Sequence, residues 1–167
     1  MNLPSRLVPL AACYALFVAT LAASSAWLPD RVAGHFGIHG DPNGWMDRGG
    51  YLLSMGIAGL ILASLAPLLA FLTPRLPRNL VNIPHRNYWL GPKHIQATTD
   101  YLSGFALRIG WLGLLMVFGL HLLVVQANLE QPPRLSSAGL WTLMALFLTG
   151  VLASTVALVL RFSRVRG

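Results

Sequence analysis

The chain has 167 residues, 55% of them hydrophobic and only 10% charged, with a formal net charge of +7. Soluble domains carry about 25% charged residues, so an ordinary water-soluble globule is excluded. One cysteine, Cys13, excludes an internal disulfide.

The charge deficit is concentrated in four stretches without acidic residues: 7–28, 51–72, 105–125 and 138–160. Each holds 21–23 residues. As a helix each runs ~33 Å, enough for a hydrocarbon core of about 30 Å. This pattern predicts an all-α integral membrane protein, with residues 1–167 forming one four-span domain. The first stretch also has features of a secretory signal: Ser24-Ser25-Ala26 suits a signal peptidase, and Leu10-Ala11-Ala12-Cys13 resembles a lipoprotein box. Against both, the apolar run is long for a signal, is broken by Pro9 before the cysteine, and continues well past it. An uncleaved first span is expected, with Cys13 a small buried hydrophobe.

The loop after the first span reads HFGIHGDPNGW from His35 to Trp45. Asp41-Pro42-Asn43-Gly44 suits a β-turn, with Phe36-Gly37-Ile38 before it and Trp45-Met46 after it, which predicts a small hairpin. His35 and His39 are four apart, a spacing that co-orients two side chains on a helix or a strand. With His121 or Asp41 as a third ligand they form a candidate zinc or copper site.

Small residues at spacing four, Gly59/Ala63, Ala106/Gly110 and Gly150/Ser154, suit close packing of the spans into one bundle. Pro67 is expected to bend the second span. Trp27, Trp45, Tyr51, Trp89 and Trp141 lie near predicted interfaces and read as aromatic anchors. Gly91-Pro92 is a helix start. From there Ile95, Thr99 and Leu102 lead into Phe105, so the third span begins with a collar of roughly three turns outside the membrane. Two ionisable groups fall inside spans, and such groups are functional candidates. Arg108 is placed to reach headgroups or Asp100. His121 is placed to bond a carbonyl, Ser24 or Ser25, or else to join His35 and His39.

Eight of the twelve Lys and Arg residues lie in the N-terminus, the second loop and the C-terminal tail: Arg6, Arg75, Arg78, Arg86, Lys93, Arg161, Arg164 and Arg166. The first and third loops together hold Arg31, Arg48 and Arg134. The positive-inside rule then puts both termini in the cytoplasm and the hairpin-like loop outside. The basic excess is explained by topology and anionic headgroups, and no nucleic-acid partner is expected.

No nucleophile–base–acid pattern, phosphate loop or intramembrane carboxylate pair is present, so no enzyme and no cofactor is expected beyond the metal considered above.

Leu28-Pro29, His35-Phe36, Gly40, Pro42 and Gly44-Trp45, followed by NIPHRNYWLGPK at 82–93, resemble domain-of-unknown-function family 1648, small bacterial membrane proteins. That domain also forms the N-terminal part of SdpI-type immunity proteins. Four spans are expected here, without the additional C-terminal region of the SdpI type. The resemblance implies a bacterial inner-membrane protein that binds a peptide or a membrane partner in an immunity or signalling role. The expected contact residues are His35, Phe36, His39, Asp41 and Trp45 outside, and Pro84, Tyr88, Trp89 and Lys93 inside. A structural subunit of a larger membrane complex and a small transporter are the alternatives, and self-association is left open.

Overall fold

A computed structural model describes residues 3–164, with side chains from residue 7 onward; Arg166, counted above among the tail cations, lies outside the described residues. Helix α1 spans Leu3–Ser24. It stops four residues short of the expected end. Trp27 and Leu28 donate backward to the Ser24 carbonyl (3.1 and 3.0 Å), and a residue preceding proline, as Leu28 does, disfavours helical backbone. Helix α2 spans Arg48–Leu72 and starts earlier than expected because Asp47 caps it, its carboxylate accepting from Gly50 N–H at 2.7 Å. Pro67 is accommodated within this one helix. Two short 3₁₀ turns, Thr73–Arg75 and Arg78–Leu80, and the one-turn helix α3, Arg86–Trp89, carry the chain to α4.

Helix α4, Ile95–Leu129, has 35 residues, about 52 Å of helix. The collar is therefore continuous with the span. Its first turn lies at Ile95 rather than Pro92, because Gly91 to His94 are taken up by a turn that closes on the Gly91 carbonyl. Helix α5, Ser137–Ser163, is capped by the Ser136 hydroxyl, which accepts from Gly139 N–H at 3.1 Å. All four long helices are apolar and long enough to cross a membrane, and the chain is a multi-pass membrane protein.

Helix α4 is the centre of the bundle, with its most extensive contact on α2. One core joins Leu10, Cys13, Phe17 and Leu21 of α1 to Ala66 and Ala70 of α2 and to Leu107 and Leu114 of α4. Small residues set its spacing: a side chain at Gly110 would run into Ala66, and one at Gly59 into the Phe17 ring. Close packing of this kind replaces the hydrophobic drive that lipid cannot supply. Helix α5 packs along α4, with Gly150 against Leu112 and Gly119 against Leu143, and Phe162 is its one buried residue.

The loop after α1 forms the expected antiparallel hairpin, β1 Arg31–Phe36 and β2 Pro42–Asp47. Its turn is not where the sequence predicts it. Pro42, Asn43 and Gly44 are strand, and the reversal lies at 37–41, closed by Gly37 N–H to Asp41 C=O at 2.8 Å and Gly40 N–H to Gly37 C=O at 2.9 Å. Gly40 supplies the positive φ, +84°, at no steric cost, and the missing N–H of Pro42 is tolerated in a strand with a free edge.

Candidate functional site

The hairpin is held on the bundle at three places. At its middle, the Asn128 side chain of α4 imitates a neighbouring strand. Ala33 N–H donates to Asn128 Oδ1 (2.8 Å) while Asn128 Nδ2 donates to the carbonyls of Ala33 (3.0 Å) and Val124 (2.9 Å). At its tip, Leu135 N–H donates to the Gly40 carbonyl at 2.9 Å, so closely that a side chain at Gly40 would meet the Leu135 backbone. At its base, the Arg48 guanidinium donates to the Leu28 carbonyl (3.0 Å) and pairs with Asp30 (3.2 Å), and Arg48 N–H donates to the Asp30 carbonyl (3.0 Å). Beneath it lies a second core of Leu28, Val32, Tyr51, Val124, Val125, Ala127 and Leu135.

The expected contact residues of this loop divide by face. His35, His39, Asp41 and Trp45 are exposed. Phe36 is half-buried and packs, with Met46, onto the second core, so it serves the hairpin's seating. Ile38, which the sequence did not single out, is the most exposed large apolar residue, at 84%. The His35 ring lies across Gly44, where a side chain would sit 2.9 Å from it. His39 is in the turn, where neither the helical nor the strand period applies, so the expected co-orientation of His35 and His39 has no backbone basis. Because Ala33 turns its N–H and C=O toward Asn128, its partner Trp45 turns its own toward the opposite, open edge of β2.

His121 is fully buried between α1, α2 and α4. Its ring nitrogens meet Ser24 Oγ (3.1 Å) and Tyr51 Oη (2.9 Å). The hydrogen-bond network assigns the tautomer. The Ser24 hydroxyl already donates to the Leu21 carbonyl at 2.8 Å, so toward His121 it accepts, and Nε2 carries the proton. Nδ1 then accepts from the Tyr51 hydroxyl. The ring is satisfied as a neutral imidazole, flanked edge-on by Phe17 and stacked by Tyr51. The bond to Ser24 is one the sequence anticipated. Tyr51, expected as an interfacial anchor, is instead 1% exposed and part of this cluster. His121 is not brought to His35 and His39: among the described residues, no three His, Cys, Asp or Glu side chains come together as a metal site.

At the opposite end, Trp89 Nε1 donates to the Phe162 carbonyl (2.9 Å), and its own carbonyl accepts from the Thr98 hydroxyl (2.8 Å). This clasps the segment before α4 to the end of α5. The half-buried Tyr88 stacks on His94 (ring centroids 4.5 Å apart) and meets Trp89 edge-on. Lys93 is exposed and Pro84 half-buried. His85, with φ of 51°, takes the left-handed backbone that opens α3. Arg108 is exposed and directs its guanidinium over the Tyr101 ring, 5.4 Å from the centroid.

Asn128 is the residue that sequence reading missed. Its signal was available: an amide, two residues after Gln126 and one before the end of a long apolar helix, where a polar group needs a partner. Tyr51 gave no comparable signal, because an aromatic at a span end is ordinarily an anchor.

No curated protein and no solved structure matches the chain. The second resembling segment, 82–93, lies outside the region that a family model matches. That match covers residues 11–60, most of α1, the whole hairpin and the first half of α2, and the model it fits is that of the Domain of unknown function (DUF1648).

Proposed function

We propose that the protein is a non-enzymatic, receptor-like inner-membrane protein of bacteria, related to the SdpI type, whose hairpin takes a peptide or a membrane partner outside the cell. The orientation rests on the distribution of Lys and Arg, which is heavy at the end bearing 73–94 and the tail and light at the hairpin. One observation carries the reading. The hairpin is fastened at its middle, tip and base, yet it turns His35, Ile38 and Trp45 away from the protein. Exposed side chains on a rigid scaffold suit recognition, and aromatic anchors dominate binding energy at such surfaces. The segment 84–93 would meet a partner on the other side of the membrane.

A photo-crosslinking residue at position 45, in membranes of the native host, is expected to trap one discrete partner. His35→Ala with Trp45→Ala should abolish association with that partner while reporter fusions show normal insertion. Phe36 is left intact because it seats the hairpin. Unchanged association in the double variant would count against the reading. Co-purification at fixed stoichiometry, indifferent to those substitutions, would favour a structural subunit of a larger complex. A transporter requires a hydrated path, and the buried polar cluster at His121 is fully satisfied by its own neighbours.

A further inference from the structure

A groove of about 650 Å³ runs along α4 between α1 and α5, within the ~300–1,000 Å³ usual for ligand sites. Leu107, Trp111, Leu112 and Leu115 line most of its length, with Pro9 of α1 and Ser154 of α5 on its sides. Its chemistry changes at the end nearer the start of α4, where Asp100, Tyr101 and Arg108 line it. Arg161 of α5 lines the neighbouring cavity beside Trp89 and His94, and lies over the same Tyr101 ring, 4.5 Å from the centroid, against 5.4 Å for Arg108. Two guanidinium groups on different helices thus converge on one ring at the membrane-interface end of an apolar channel. One carboxylate, Asp100, stands at the same end, so the two guanidinium groups leave a net positive charge there that attracts an anion.

We infer that this groove is a resident site for an anionic phospholipid, the phosphate held by Arg108 and Arg161 and an acyl chain lying along Leu107 to Leu115. The amphiphile matches both ends of the groove: guanidinium is suited to phosphate, and basic pockets between membrane helices bind lipid headgroups. A second copy of the chain fits less well, since its corresponding end carries the same arginines. The groove also opens beside α5, whose exposed surface is uncharged and mostly apolar along the span, so a lipid enters laterally.

The test uses the full chain in phosphatidylcholine vesicles doped with phosphatidylglycerol brominated on its acyl chain, read by quenching of tryptophan fluorescence. Trp111→Phe identifies the groove component of the signal. Brominated phosphatidylglycerol is expected to occupy that component about fivefold more tightly than brominated phosphatidylcholine. Arg108→Gln should remove most of that preference, and Ser154→Phe, which fills the groove, should remove the component itself. Should Arg108→Gln fail to insert, Arg161→Gln reads the same preference. Equal quenching by the two lipids, or a preference unchanged in an inserted arginine variant, would overturn the inference.

Discussion

The two ends of the molecule are held by different physics. At the hairpin end the ties are directional hydrogen bonds to the hairpin backbone: the Asn128 side chain to Ala33, the Leu135 N–H to Gly40, and the Arg48 guanidinium to Leu28. At the other end they are chiefly aromatic packing around Trp89, with one indole bond to Phe162 and cations over rings. A two-stranded hairpin is marginal on its own, so it needs partners that fix its register. The 73–94 segment follows no ladder and can be seated by contacts less demanding of angle. The hairpin end should therefore fail sharply when one polar atom is removed, and the other end gradually.

The largest effect is expected for Asn128→Ala. It strips partners from both the N–H and the C=O of Ala33, at about 1–3 kcal/mol for each unsatisfied group. Hydrogen exchange should accelerate across 31–47 while 86–95 keeps its protection. Equal loosening at both ends would dissolve the contrast.

Next comes His121→Leu, expected to cost about 2 kcal/mol by leaving the Tyr51 hydroxyl without its acceptor. Because the cluster ties three helices, this loss should appear as lower global stability in a detergent unfolding assay, not as local opening. A double-mutant cycle with Tyr51→Phe should return a coupling of about 0.6–1.7 kcal/mol, the range for polar pairs within membranes.

Gly40→Ala combines a left-handed backbone position with the close approach of Leu135, and should cost more than about 1 kcal/mol. Protease sensitivity at the hairpin tip is the readout, and an unchanged digestion pattern would contradict the assigned turn. Trp89→Phe removes the bond to Phe162 and shrinks the indole to a phenyl ring that still packs there, so a loss of about 1 kcal/mol for the bond plus a smaller packing loss is expected, visible as faster exchange in 86–95 alone. Asp30→Asn should change nothing measurable, since that carboxylate is 94% exposed and such pairs contribute little.

Much of this was legible in the sequence, for identifiable reasons. Span number followed from runs of apolar residues, which a bilayer makes nearly sufficient. The collar followed from the absence of a breaker stronger than Gly104, and the resemblance to the family model that matches 11–60 from landmark residues around the hairpin. The turn was misplaced because Asp-Pro-Asn-Gly has the right local chemistry, while the hairpin's position is set by Leu135 and Asn128, about a hundred residues away. Phe36 looked like a contact residue because chain position alone does not tell which strand face meets the bundle.

By itself, then, the sequence determined that the chain has four helices long and apolar enough to cross a membrane, that a short hairpin joins the first two, and that His121 needs an internal partner. Length, hydropathy and the cost of an unpaired polar group in lipid settle those matters locally. Only the tertiary structure decided that Tyr51 and Ser24 satisfy His121, that Asn128 closes one edge of the hairpin, and that Arg108 and Arg161 share one ring. Each depends on which faces of distant helices meet, and that choice is made by small residues such as Gly59 and Gly110, whose spacing permits close approach without naming the partner.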